Sequence, residues 1–168
     1  DPSINYDKIK ATQKFSVDPG LEFKENPVSF KVTSDEFFDR IRSGEYLESN
    51  VRFDVIFIDG LHLAEQVDRD IQNALQFIKN DGYIILHDCN PPTEWHAREE
   101  RKFEISPAMN NWNGTTWKGY MKWRNHPELY SCTIDTDWGV GVISKTINIG
   151  SCNTIENLFY EFSIFNTH

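Results

Sequence analysis

The chain has 168 residues and a mass of 19.6 kDa, with 39% hydrophobic and 14% aromatic residues. This composition suits one folded domain and excludes a disordered chain, and no apolar run approaches the ~18 residues of a membrane span. The formal charge of -9 disfavours binding to nucleic acid or to anionic membranes. Three cysteines without CxxC spacing, and a start unlike a signal peptide, predict a reducing, cytoplasmic setting.

Two short strands and a helix are predicted before residue 51. Lys14–Val17 is a short apolar run that ends at the turn Asp18-Pro19-Gly20, and Val28–Val32 alternates with the period of a strand. Thr33 begins a capping box for a helix that ends at Ser43-Gly44. The predicted buried face of this helix consists of Phe37, Phe38 and Ile41.

A strand–helix–strand unit is predicted between Phe53 and Asp88. Phe53–Ile58 is almost continuously apolar, which is typical of a parallel strand covered on both faces. The next segment has helical spacing and stops at Asp81-Gly82, and Tyr83–Leu86 is a second buried strand. The apolar face of the helix comprises Val67, Ile71, Ala74, Leu75 and Ile78. We expect a βαβ unit with parallel strands.

The chain after Asp88 begins with Asn90-Pro91-Pro92, which cannot continue a strand. Thr93–Trp112 shows no clear period and is predicted as a long excursion. The remaining predicted elements are a helix over Thr115–Arg124, strands over Leu129–Asp135 and Val140–Ser144, and a final helix over about residues 153–165. This order predicts an α/β layered fold with a mostly parallel sheet.

Acidic and imidazole side chains follow four of the predicted strands. They are Asp18, then Asp35 after Ser34, then Asp59 with His62, and finally His87 with Asp88. Because ligands bind outside the carboxyl ends of strands in open parallel sheets, one shared rim is predicted. Asp18 is placed either to accept hydrogen bonds from ribose hydroxyls or to form a turn. Asp35 is placed either to reach an adenine or to cap a helix.

Asp59, His62, His87 and Asp88 are residue types that build metal or acid–base sites. Neighbouring strands lie about 4.8 Å apart, so Asp59 and Asp88 can share one divalent ion. Carboxylates favour magnesium, calcium or manganese, and imidazoles shift the preference toward zinc, iron or manganese. Without a metal, His62 or His87 can serve as a general base. The structural alternative is that one His bonds the backbone and one Asp caps the helix at Ala64.

The same residues resemble class I S-adenosylmethionine-dependent methyltransferases. The resemblance rests on Phe53–His62, on Asp70, on Gly82–Pro91 with its His-Asp pair, and on Thr136–Ile143 as a final strand. It covers about residues 14–145 and is nearest to the branch that methylates hydroxyls of small molecules and sugars. It implies a single Rossmann-like domain over residues 1–168, with a C-terminal antiparallel strand and S-adenosylmethionine as cofactor.

The resemblance also implies roles for individual positions. It assigns cofactor binding to Asp18, Ser34 and Asp35, metal binding to Asp59, His87 and Asp88, and catalysis to His62 and Asp59. His87 stands where those relatives have a carboxylate, which shifts the expected ion from magnesium toward a softer one such as manganese. The implied reaction is methyl transfer to a small molecule or sugar, and a homo-oligomer is left open.

The sequence lacks the glycine-rich turn that such folds have after their first strand. Residues 1–13 contain no glycine and are predicted as the end of a helix. We therefore expect an N-terminally truncated domain, as either a fragment or a shortened homologue. Two other functions remain open: an inactive domain that serves in binding or assembly, and a metal-dependent hydrolase that uses His62, His87 and Asp88.

Overall fold

A computed structural model describes residues 6–21, 27–101, 106–150 and 161–165. The chain divides into two units, Asp1–Val51 and Arg52–His168. Helices and strands occur together, so the predicted α/β class is confirmed. Within the described residues, no helix is long and apolar enough to cross a membrane.

Helix α1 (Ser34–Arg42) belongs to the first unit and matches its prediction. Thr33 is the N-cap, and its hydroxyl oxygen accepts a hydrogen bond from the backbone N–H of Glu36 at 3.2 Å. Ser43 is the C-cap, and Gly44 follows with a φ of 74°, a conformation that suits glycine. The buried residues are Phe37, Phe38 and Ile41, as predicted.

The two strands predicted before α1 are reduced to a single parallel bridge between Val17 and Phe30. Ser16 and Ser29 explain why the pairing stops there. The hydroxyl of Ser29 accepts from the N–H of Ser16 at 3.2 Å, and the hydroxyl of Ser16 accepts from the N–H of Ser29 at 3.0 Å. Side-chain bonds of this kind replace ladder bonds between backbones. The strands are therefore shorter than predicted, although their parallel direction holds.

The second unit is built on a four-stranded sheet of order β1-β2-β4-β3. Strands β1 and β2 are parallel, whereas β4 is antiparallel to both β2 and β3. The sheet thus starts with the predicted βαβ unit and continues with an antiparallel hairpin. The elements of the second unit are β1 (Phe53–Ile58), α2 (Ala64–Phe77), β2 (Ile78–Leu86), α3 (Thr116–Arg124), β3 (Tyr130–Ile134), β4 (Val140–Ser144) and α4 (Phe162–Phe165).

The junction between α2 and β2 differs from the prediction. Helix α2 ends at Phe77, so Ile78 and Asp81-Gly82 lie in the strand instead of at the end of the helix. Gly82 serves close packing there, because a Cβ on it would lie 2.8 Å from the carbonyl oxygen of Asp54 and 2.8 Å from Cγ1 of Ile78. Gly82 is therefore explained by close packing within a strand, and it does not mark the end of the helix.

The core of the second unit lies between one face of the sheet and helices α2 and α3. Its buried members are Ile58, Val67, Ile71, Ala74, Ile78, Ile84, Leu86, Cys89, Tyr120 and Ile143. The other face of β1 leaves Val55 52% exposed and Phe57 58% exposed. The predicted cover on both faces of β1 is therefore wrong, since the face that carries Val55 and Phe57 is exposed.

Near the C-terminus, Phe162 and Phe165 of α4 pack against Trp117. Most of the predicted final helix, residues 153–160, lies outside the described residues.

Candidate functional site

The loops that follow β1 and β2 bring four predicted residues together. Ile58 pairs with Leu86 in parallel register, and the N–H of His87 donates to the carbonyl oxygen of Ile58 at 3.1 Å. The two strands therefore present their carboxyl ends side by side. We call the four residues that meet there the acid–imidazole cluster: Asp59, His62, His87 and Asp88.

The imidazole rings of the cluster lie between its carboxylates. Nε2 of His62 is 3.4 Å from Oδ1 of Asp59, and Nδ1 of His62 is 3.2 Å from Oδ2 of Asp88. Nδ1 of His87 lies 3.6 Å from the same Asp59 oxygen and 3.2 Å from the same Asp88 oxygen. Each imidazole therefore contacts both carboxylates. Asp88 is 1% exposed, so the contacts of the imidazoles with Asp88 are shielded from solvent, whereas the side chain of Asp59 is 42% exposed.

Three residues from later in the chain complete the site. The side-chain amide of Asn113 donates to Oδ1 of Asp88 at 2.6 Å. The indole of Trp112 stacks on the His62 ring, with centroids 5.3 Å apart and planes inclined by 20°. Oδ2 of Asp137 lies 3.1 Å from Nε2 of His87. The sequence placed Trp112 in the predicted excursion, Asn113 directly after it and Asp137 in a turn, and it assigned none of them to this cluster.

The backbone around the cluster adopts an unusual conformation. Five described residues other than glycine have positive φ angles, and four of them belong to the cluster or to the turn beside it: His62 (56°), Asp88 (61°), Asp137 (47°) and Trp138 (60°). Such conformations cost free energy and persist where the surrounding structure holds them. Hydrogen bonds hold the turn, since Cys89 N–H donates to Gly139 O at 2.9 Å and Asn90 N–H to Trp138 O at 2.7 Å.

The close contacts shift the pKa values of the cluster. Burial alone would raise the pKa of Asp59, but the hydrogen bonds from His62 and His87 hold it well below its usual range. Burial would lower the pKa of His62, but its hydrogen bond to Asp59 and the charge of Asp88 raise it. Hydrogen bonds to Asp59 and Asp88 raise the pKa of His87 to about 11. At neutral pH, His87 is therefore an imidazolium paired with carboxylates.

The donor atoms of the cluster fit a divalent ion. One ligand atom each from Asp59, His62 and Asp88 lie within 4.8 Å of one another. Two carboxylates and one imidazole suit magnesium or, better, manganese. The metal set predicted from the sequence had His87 where this group has His62, although His87 also contacts both carboxylates. Metal binding stays a prediction.

The structural alternative for the cluster, in which one His bonds the backbone and one Asp caps α2, is confirmed only for the His. Nδ1 of His62 lies 3.3 Å from the carbonyl oxygen of Trp112, a backbone contact. The first N–H of α2, that of Ala64, donates to the hydroxyl of Thr115 at 2.8 Å. The cap on α2 thus comes from Thr115 and not from an aspartate of the cluster.

The residues predicted to bind the cofactor lie in the first unit. Oδ1 of Asp18 accepts the N–H of Gly20 at 2.5 Å, which is the turn-forming role of an aspartate. Ser34 and Asp35 lie in the first turn of α1. Because the chain is parallel at Val17 and Phe30, these residues follow the same ends of two neighbouring segments. Their role toward a cofactor stays a prediction.

A comparison with protein families connects these observations. Residues 7–89 match a methyltransferase domain. The match supports a class I S-adenosylmethionine-dependent methyltransferase, for which S-adenosylmethionine is the usual cofactor. The matched methyltransferase segment contains every residue predicted for cofactor, metal and catalytic roles, whereas Asn113 and Asp137 lie beyond it. No curated protein matches the chain.

Proposed function

We propose that this chain transfers the methyl group of S-adenosylmethionine to a hydroxyl group of a small molecule or sugar. One observation carries the proposal: the His62 ring lies 3.4 Å from Asp59 and 3.2 Å from Asp88, at the carboxyl ends of two parallel strands. Methyl transfer to a hydroxyl needs a group that removes its proton, and an imidazole held by carboxylates is suited to this task.

His62 is the proposed general base. S-adenosylmethionine, when bound, supplies an electrophilic methyl group on a sulfonium. The imidazole takes the proton of the acceptor hydroxyl while the oxygen forms its bond to the methyl carbon; the carbon–sulfur bond breaks and its electron pair stays on sulfur. Asp59 and Asp88 stabilise the imidazolium that results. Because these carboxylates also raise the pKa of His62, only its neutral fraction is active, and the rate should rise with pH.

Metal assistance is the second candidate, and the compact group of Asp59, His62 and Asp88 favours it. These residues would hold the ion, which would supply Lewis-acid activation of the acceptor hydroxyl. A His62 ring nitrogen bound to a metal cannot also take the acceptor's proton. The two candidates therefore assign different roles to the same imidazole and can be separated by experiment.

Cofactor binding is tested by calorimetric titration with S-adenosylmethionine and its demethylated product. Asp18→Ala and Asp35→Ala should weaken binding. Asp39→Ala is the matched control, because Asp39 lies on α1 but forms an exposed ion pair with Arg42 at 2.6 Å. No heat and no thermal shift with the wild-type chain would contradict the proposal and favour the inactive binding module.

Methyl transfer is tested with a panel of sugars and phenols, with products detected by mass spectrometry. His62→Gln should abolish transfer, whereas His126→Gln, outside the cluster, should not. Activity that survives EDTA supports His62 as the base. Activity that EDTA removes and manganese restores supports the metal-assisted form instead. Manganese-dependent phosphatase activity without methyl transfer would favour the hydrolase alternative.

A further inference from the structure

The segment Trp112–Thr115 contacts both loops of the acid–imidazole cluster. Its indole stacks on His62, and the N–H of Thr115 donates to the carbonyl oxygen of His62 at 2.8 Å. The N–H groups of Asn113 and Gly114 donate to the carbonyl oxygen of His96 at 3.0 and 3.1 Å. The backbone of Asn113 is thereby held from both sides.

The side chain of Asn113 reaches the most buried member of the cluster. Asn113 is fully buried, and its amide donates to Oδ1 of Asp88 at 2.6 Å. The other carboxylate oxygen, Oδ2, is the one that lies 3.2 Å from both His62 and His87. A carboxylate held at one oxygen cannot rotate freely, so the hydrogen bond from Asn113 restricts the directions open to Oδ2.

The two polar atoms of the Asn113 side chain differ in their hydrogen bonding. Its amide nitrogen has a short bond to a carboxylate, but its buried Oδ1 has no hydrogen-bond partner among the described residues. Turning the amide over would place two oxygens 2.6 Å apart, so the nitrogen must face Asp88. Buried polar atoms are almost always paired, and an exception is a reason to look for a role beyond stability.

We propose that Asn113 is a positioning residue that orients the carboxylate of Asp88 toward the imidazoles of His62 and His87. The contacts carry this assignment, and only its consequence for catalysis rests on the proposed function. Asn113 would act through Asp88 and would not touch the acceptor, since its side chain is buried.

The test compares two variants at this position with one control. Asn113→Asp keeps the shape of the side chain but replaces the donor with a second acceptor, and Asn113→Ala removes the amide. Asn111→Ala is the control, because Asn111 is exposed in the same part of the chain and bonds to Ala108 and Arg98 through its backbone. If Asn113→Asp does not fold, because it buries a second carboxylate beside Asp88, Asn113→Ala still permits the test, since it adds no charge.

The first readout needs neither cofactor nor acceptor. Nitrogen NMR of protein labelled at histidine reports the hydrogen bonding of each ring nitrogen at one fixed pH. We expect the ring signals of His62 and His87 to move in both Asn113 variants, while those of His126 stay, and no signal to move in Asn111→Ala. A lower melting temperature with unchanged His62 and His87 signals would mean a purely structural role and would overturn the proposal.

The second readout is kinetic and uses whichever acceptor the panel identifies. Loss of such an orienting partner typically costs about 10- to 100-fold in activity. We expect that loss in kcat, with the KM for S-adenosylmethionine unchanged. Unchanged kcat in a folded variant would contradict the proposal. If no acceptor is methylated, methyl transfer fails as the function, yet the NMR result still decides the role of Asn113.

Discussion

Replacing Gly114 by alanine tests how tightly the Trp112–Thr115 segment is held against the cluster. Gly114 has a φ of 65°, and a Cβ on it would lie 2.0 Å from the carbonyl oxygen of His62 and 2.8 Å from the His62 Cβ. The nearest obstacle is backbone, so no side-chain rotation relieves the clash. The segment must move away, which breaks the hydrogen bond between Thr115 N–H and His62 O.

The size of the effect follows from two contributions. A left-handed conformation costs a residue with a Cβ about 1–2 kcal/mol, and the lost hydrogen bond costs about 1 kcal/mol more. Gly114→Ala should therefore destabilise the fold by about 2–3 kcal/mol. Gly44→Ala is the matched control, because Gly44 has a φ of 74° but nothing within 4 Å of its added Cβ. It should lose only the first contribution.

Differential scanning calorimetry is the appropriate assay, because it detects unfolding of both units. A chain of this length loses roughly 2–4 °C in melting temperature per kcal/mol. Gly114→Ala should therefore melt about 2–4 °C below Gly44→Ala, because the two variants differ by the lost hydrogen bond. Gly114→Ala should also lose methyl-transfer activity, since the movement displaces His62. Equal melting temperatures for the two variants would refute the reasoning, since the clash with His62 would then contribute nothing.

Thr33→Ala should destabilise α1 by about 1 kcal/mol in urea unfolding, because the cap on Glu36 is lost, whereas Thr33→Ser should not. The raised pKa of His87 means that its interactions stabilise the fold fully below its unfolded pKa of about 6.5 and are lost as the pH rises toward about 11. The advantage in melting temperature of the wild type over His87→Gln should shrink across that range. Asp59→Asn should shift the rise of the methyl-transfer rate to lower pH, since Asp59 raises the pKa of His62.

Each of these outcomes can fail in a defined way. A Thr33→Ser variant as unstable as Thr33→Ala would mean that the hydroxyl is not the cap. A constant difference between wild type and His87→Gln from neutral to alkaline pH would show that the charge of His87 does not stabilise the fold. An unchanged pH profile in Asp59→Asn would mean that His62 is not the group that titrates in the rate.

Helices and strands that depend on local sequence patterns were predicted well. Burial and strand pairing, which depend on neighbouring parts of the fold, were predicted less well. Helix α1 was predictable because its cap and its apolar stripe are written within ten or so residues. The apolar run of β1 predicted a strand correctly but not the exposure of one of its faces, which depends on what packs against that face. The pairing near Ser16 and Ser29 was overestimated, because hydroxyls compete with backbone partners in a way that alternation does not reveal.

The site was predictable where a general rule of parallel sheets applies. Asp59 and Asp88 follow neighbouring parallel strands, so their proximity follows from topology. Asn113 lies 25 residues after Asp88, directly beyond the predicted excursion, and its contact depends on how that excursion folds back. Asp137 reaches His87 from a turn in which three consecutive residues, Asp137, Trp138 and Gly139, have positive φ angles, a conformation that the sequence pattern does not reveal.

The left-handed backbone at His62 and Asp88 restricts which amino acids either position can accept. Glycine and asparagine tolerate this conformation, whereas valine, isoleucine and threonine strongly resist it. A saturation library sorted only for soluble expression should therefore lose β-branched residues at both positions, even when no methyl donor is present. A screen for soluble expression would then identify both positions of the site without measuring catalysis.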